Sequence, residues 1–177
     1  LENSNTAIIL SDESLLSPVL HNLPSAIKQL NVTMGSPLKN SSLYAFIDVV
    51  FKMQINFIKY KKSAFYYKDV LTVIEHPYFS KIIELNEVFS LKHYITKENI
   101  VFIDCDYIID FFEEKIFSNM IFSFWGDVQH AVQSVVTIAE ELRFPLLAKK
   151  GTIEAEVLAT FYKSLIVLKK LVLENKF

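Results

Sequence analysis

From residue 41 the chain reads Ser41-Ser42-Leu43-Tyr44-Ala45-Phe46-Ile47-Asp48-Val49-Val50-Phe51-Lys52-Met53-Gln54-Ile55-Asn56-Phe57-Ile58-Lys59-Tyr60. Leu43, Phe46, Ile47, Val50, Phe51, Ile55 and Ile58 recur in steps of three and four, which sets them along one side of a helix with 3.6 residues per turn. Neither Gly nor Pro interrupts the stretch, and the charged run Lys59-Tyr60-Lys61-Lys62 ends it. The same periodicity predicts helices at Tyr66 to Glu75, Tyr78 to Val88, Tyr107 to Phe117, Val128 to Leu142 and Ile153 to Glu174. His76-Pro77 separates the first two of these, because the residue before a proline is pushed out of helical geometry. Ile100-Val101-Phe102-Ile103 suits a short strand or a buried helical start equally well at this length.

The chain before residue 41 has a different texture. Thr6-Ala7-Ile8-Ile9-Leu10 is a β-branched and apolar run that leads into Ser11-Asp12-Glu13, a pattern for a buried strand feeding a capped helix. Leu15, Leu16, Val19, Leu20 and Leu23 follow at helical spacing. A second short strand is predicted at Leu30-Asn31-Val32-Thr33-Met34, closed by the turn Gly35-Ser36-Pro37. The fold expected is therefore an α/β start, short and βαβ-like, over residues 1–40, followed by a helical region over 41–177, with the whole predominantly α.

Composition sets the outer bounds. The 177 residues are 51% hydrophobic, enough for a buried core and too apolar for intrinsic disorder. Three glycines and five prolines leave little material for Gly-rich phosphate loops. The formal net charge of -2, with Arg143 as the single arginine, argues against a sequence-specific reader of nucleic acid, which draws on Arg forks. Cys105 has no second cysteine to pair with, which fits a reducing cytoplasm. Apolar stretches such as Ile116 to Trp125 fall short of the roughly 18 residues of a membrane span, so no membrane partner is expected. The start at Leu1-Glu2-Asn3 without Met, and the end at Lys176-Phe177 directly after a periodic stretch, read as a segment of a longer protein.

Over about its first fifty residues the chain resembles a known family. Thr6 to Glu13, then Leu16 and Pro18-Val19-Leu20, then Leu30 to Leu38 look like the second RecA-like lobe of UvrD/RecB-type helicases, in the version found in AddB-like helicase-exonuclease subunits with a PD-(D/E)XK nuclease domain. The resemblance implies a partial RecA-like lobe over 1–40 and an inserted helical subdomain over 41–177. It also implies a parent exonuclease of DNA repair and recombination that uses Mg²⁺, with no cofactor held by this segment. Its partners would be DNA, the remaining domains of the same chain and a helicase-nuclease partner subunit. Active helicases of this kind carry an arginine against the nucleotide phosphates where this sequence has Ser11-Asp12-Glu13. Carboxylates there would repel phosphate, which implies a degenerate, non-catalytic module.

Beside that resemblance, the residues themselves nominate one binding patch. Lys59, Tyr60, Lys61 and Lys62, with Tyr66, Tyr67 and Lys68 just after, interleave cations with aromatic rings, the mixture that single-stranded DNA grooves use for backbone attraction and base stacking. The bland alternative is a solvated helix end whose lysines complement the negative end of the helix dipole. Lys149-Lys150 offers the same pattern with fewer aromatics. Asp104-Cys105-Asp106 after Val101-Phe102-Ile103 superficially resembles the strand-D-x-D motif of haloacid-dehalogenase phosphotransferases, against a plain Asp cap of the following helix. His21, His76, His93 and His130 lack metal-ligand spacing. Phe111, Phe112, Phe117, Phe122, Phe124 and Trp125 read as core, and otherwise as a partner surface. The expected function is a non-catalytic helicase-like segment of a DNA exonuclease, and the alternative is a helical protein-interaction module.

Overall fold

A computed structural model of the chain describes residues 7–27, 30–32, 38–60, 63–113, 115–147 and 153–174. The chain divides into two units, Leu1–Ser41 and Ser42–Phe177. Among the described residues it is predominantly helical, with eight α-helices and one two-stranded sheet.

In the first unit Asp12 starts the helical segment. Its Oδ1 accepts the Ser14 amide at 2.7 Å, which satisfies a free N–H of the 3₁₀ turn Glu13–Leu15. That turn runs straight into α1, Leu16–His21. Asn22 closes α1, its side-chain nitrogen donating to the Pro18 carbonyl at 2.8 Å. The strands expected on either side are not formed where the chain is described. Residues 7–10 and 30–32 are irregular, and Ile9 is 93% exposed. A strand is stable only as part of a ladder, and neither run has a neighbouring strand among the described residues. Thr6 and the remainder of the second run, Thr33 and Met34, lie outside the described residues, as does the Gly35-Ser36-Pro37 turn. The short strand region of this fold is instead in the second unit.

That unit opens with α2, Ser42–Tyr60. Leu43, Phe46, Ile47 and Val50 are buried as the periodicity predicts, but Phe51, Ile55 and Ile58 are exposed, and Met53 and Gln54 are buried in their stead. The buried side of α2 turns because the segment after Phe122 wraps over Gln54. The Gln54 Nε2 donates to the Ile121 and Ser123 carbonyls, both at 2.9 Å, and its Oε1 accepts the Trp125 amide at 3.2 Å.

After α2 come β1, Ala64–Tyr66, and α3, Tyr67–Ile74. The chain turns at His76-Pro77, where the His76 Nδ1 accepts the Tyr78 amide at 3.2 Å. The helix expected over Tyr78 to Val88 is two pieces. A 3₁₀ turn at Phe79–Lys81 ends, Glu84 is extended, and α4 runs over Leu85–Lys97. The Glu84 amide donates to the Glu87 carboxylate at 3.2 Å, half of a capping box with Glu rather than Ser or Thr at its head. Asn99, at φ 50°, ends α4 in the left-handed region, and the Ile100 amide returns to the Ile95 carbonyl at 3.0 Å.

Next come β2, Phe102–Asp104, α5, Cys105–Phe111, and α6, Ile116–Phe122. The single helix expected over Tyr107 to Phe117 is broken because Glu113 takes φ 55°, and its amide closes a turn on the Asp110 carbonyl at 2.9 Å. Phe112 and Ile116 keep a four-residue spacing across the charged Glu113-Glu114-Lys115, which is why periodicity alone does not reveal the break. Then α7, Val128–Leu147, continues through Pro145, and α8, Ile153–Leu173, packs back along it.

The core is aromatic. Phe46, Phe65, Phe79, Phe112, Phe117 and Phe122 are fully buried, and each such side chain stabilises the fold by about 1.5–3 kcal/mol relative to exposure. Phe79 sits at the hub, with ring centroids 5.5 Å from Phe112, 5.7 Å from Phe117 and 6.1 Å from Phe122. Of the aromatic run nominated above, Phe111 is half-buried, Trp125 is buried, and Phe124 is exposed while stacking on Phe57 at 4.9 Å.

Candidate nucleic-acid interface

The two strands pair antiparallel, with Ala64 opposite Asp104, Phe65 opposite Ile103 and Tyr66 opposite Phe102. Side chains alternate across a strand. Phe65 and Ile103 therefore point inward and are buried, Phe65 meeting Phe57 at 4.9 Å and Phe122 at 6.1 Å. Tyr66 and Phe102 occupy the opposite, outer face, 5.8 Å apart. The Tyr67 amide donates to the Val101 carbonyl at 3.0 Å, so the pairing carries α3 directly off the strand.

The end of α2 delivers Tyr60 to this outer face. Its ring is edge-on to Tyr66 at 5.7 Å and to Phe102 at 5.8 Å. Tyr66 meets Tyr67 edge-on at 5.0 Å, and the Lys68 ammonium lies 5.9 Å from the centre of the Tyr67 ring, within cation–π range. Tyr60 is 38% exposed, and Lys59 and Lys68 are exposed. Five of the seven nominated residues, Lys59, Tyr60, Tyr66, Tyr67 and Lys68, are thus carried by the elements that form or border one small sheet. Lys61 and Lys62 lie outside the described residues, as do Lys149 and Lys150. Phe102 belongs to the aromatic group although it is 42 residues from Tyr60 in sequence, and only strand pairing reveals it.

Carboxylates border the same face. Asp104 stands opposite Ala64 in the sheet register. Asp69, half-buried beside Lys68, accepts a hydrogen bond from the Asn56 amide nitrogen at 3.0 Å, and burial pushes its pKa up despite that bond. Among the described residues the attraction for a polyanion is accordingly local to Lys59 and Lys68.

Asp104 has a structural task. Its Oδ1 accepts the Asp106 amide at 2.9 Å and caps α5. The strand before it belongs to a two-stranded antiparallel sheet, whereas the dehalogenase motif sits on a strand of a parallel one. Between the two aspartates the Cys105 thiol is pushed up to about 11, first by burial and then by the charges of Asp104 and Asp106, so it is a poor nucleophile. Among the described residues no three His, Cys, Asp or Glu side chains are grouped to hold a metal ion, and no helix is long and apolar enough to cross a membrane.

No family model, curated protein or solved structure matches this chain.

Proposed function

We propose that this chain is a non-catalytic, nucleic-acid-contacting segment, of the kind the AddB resemblance implies, which meets single-stranded DNA at the outer face of the β1–β2 sheet. The observation that carries the reading is the grouping of Tyr60, Tyr66, Tyr67 and Phe102 between Lys59 and Lys68. Aromatic rings stack on bases without regard to sequence, and the lysines supply backbone attraction. In this reading the segment shapes a DNA path in a cytoplasmic repair exonuclease. The remaining domains of the parent chain, with a helicase-nuclease partner subunit, supply the Mg²⁺-dependent cleavage.

The test is fluorescence anisotropy of a labelled oligothymidylate with the 177-residue chain at low salt. Tyr60→Ala should weaken binding roughly 5- to 150-fold, the equivalent of about 1–3 kcal/mol per stacked base. Lys59→Ala should lower the salt slope by about 0.7. An oligonucleotide that fails to bind at low salt removes the DNA reading. What then stands is the second one, a helical protein-interaction module, which is favoured by the exposed Val167, Leu171 and Leu173 on α8.

A further inference from the structure

Helix α8 carries two series of residues at three-four spacing, and α7 covers the more apolar one. Ala155, Leu158, Tyr162, Leu165, Lys169 and Val172 follow each other at alternating steps of three and four. Ala155, Leu158, Leu165 and Val172 in this series are buried, and Tyr162 is tied to α7 by its hydroxyl, which donates to Glu140 at 2.7 Å, and by Arg143 over its ring at 5.2 Å. A second series, Val157, Thr160, Ser164, Val167 and Leu171, has the same three-four spacing on roughly the opposite side of the helix. Val157 is half-buried at the edge of the core, Thr160 and Ser164 are exposed, Val167 is 60% exposed and Leu171 is 37% exposed. A seam of this period is the pattern by which one helix packs along another.

Charge along the helix selects the occupant. Glu154 and Glu156 lie in its first turn and Lys170 in its last, so two parallel copies would set like charges together, whereas two antiparallel copies set unlike charges together. With Thr160 of one copy opposite Ser164 of the other, Val157 falls opposite Val167 in both directions. The same register brings Glu156, exposed on the flank of the seam, to Lys170 of the other copy, twice per pair. The small side chains at the centre let the helices approach closely. Lys163, on the same flank near the axis, reaches solvent along its flexible stem. The existing Lys170 to Glu174 ion pair is long, 3.9 Å, and exposed, and offers little resistance to exchange.

We propose that this chain forms a two-fold homodimer by antiparallel packing of α8 on α8 through Val157, Thr160, Ser164, Val167 and Leu171. An isologous seam of this kind closes on itself and gives a dimer rather than a filament. The inference is independent of DNA binding, since α8 bears none of the residues of the β1–β2 face.

Sedimentation equilibrium from about 1 to about 200 µM, the range of weak dimers, should show mass rising from 20.4 kDa towards twice that. Val167→Lys should hold the chain at the monomer mass with an unchanged circular dichroism spectrum, as expected for a substitution at an exposed site. Glu156→Lys and Lys170→Glu should each weaken association roughly tenfold, and the double variant carrying both should restore it, because the pair is re-formed with its charges exchanged. A chain that stays monomeric throughout the range overturns the proposal. So does a dimer indifferent to Val167→Lys, and so does a double variant no stronger than the singles.

Discussion

Gln54 and Ser134 show how differently two buried polar side chains bear on stability. Gln54 uses both ends of its amide, giving two hydrogen bonds and taking one from the segment 121–125. Gln54→Leu keeps the volume but leaves two carbonyls and an amide facing an apolar group. A buried backbone group without a partner costs about 1–3 kcal/mol, so the variant should lose roughly 2–5 kcal/mol in urea unfolding. A loss below about 1 kcal/mol would mean that the segment does not depend on this grip. Ser134, wholly buried within α7, has no hydrogen-bond partner for its hydroxyl. Ser134→Ala removes an unmatched polar atom and adds a better helix former, so its stability should be unchanged or higher by up to about 1 kcal/mol. Cys105 gives a chemical readout at the same scale. With its thiol pushed up to about 11, only about one molecule in a thousand carries thiolate at pH 8. Iodoacetamide should therefore label the folded chain far more slowly than the chain in urea. Equal rates in both would contradict the burial and the flanking charges that raise this thiol.

At the scale of elements, the sequence reveals where helices are and conceals where they stop. The apolar period of α2, α7 and α8 is long enough to be unmistakable, and the Asp12 and Asp104 caps are legible because a short carboxylate before an apolar run has one common use. The breaks after Ile83 and Phe111 are hidden for a physical reason. One is headed by Glu84, an uncommon cap, and the other turns on Glu113, a residue type with no preference for the left-handed region it occupies. That position yields a prediction. Glycine adopts φ 55° without a Cβ clash, so Glu113→Gly should raise stability by about 0.5–1 kcal/mol after the entropy of a freer unfolded chain is deducted. Glu113→Val, branched at Cβ, should lower it. A Gly variant less stable than the parent would place the break elsewhere. The candidate face was half legible for a related reason. Tyr60, Tyr67 and Lys68 cluster in sequence, but Phe102 joins them only through a three-residue strand, and no local pattern announces its pairing partner Tyr66, 36 residues away.

Across the second unit, the burial of His76, Cys105 and Tyr78 makes stability follow pH. Burial against Phe46, at a ring distance of 5.0 Å, lowers the pKa of His76 from its ordinary value of 6.5. Above 6.5 the imidazole is neutral in both folded and unfolded chains. As the pH falls below 6.5 the unfolded chain takes up the proton first, so stability declines until the folded imidazole also protonates. Cys105 and Tyr78 act in the opposite sense. Both are raised by burial, Cys105 to about 11 and Tyr78 to about 12, with the Glu154 charge adding to the second. From pH 9 the unfolded thiol ionises while the folded one stays neutral, and from pH 10 the phenol does the same. Stability then falls with rising pH, by at most about 2–3 kcal/mol from Tyr78 at 1.36 kcal/mol for each pH unit between 10 and 12. Urea unfolding from pH 5 to 12 should thus give a plateau between about 6.5 and 9 with a decline on each side. Tyr78→Phe should keep the ring in the core, lessen the alkaline decline above pH 10, to which the raised phenols of Tyr107 and Tyr162 also contribute, and leave the acid limb in place. His76→Phe should do the reverse. If stability instead rises between pH 10 and 12, or the Tyr78→Phe profile tracks the parent's, then Tyr78 is hydrated in the folded chain and the packing of Phe46, His76 and Tyr78 around the His76-Pro77 turn is looser than the ring distances of 5.0, 5.8 and 6.0 Å require.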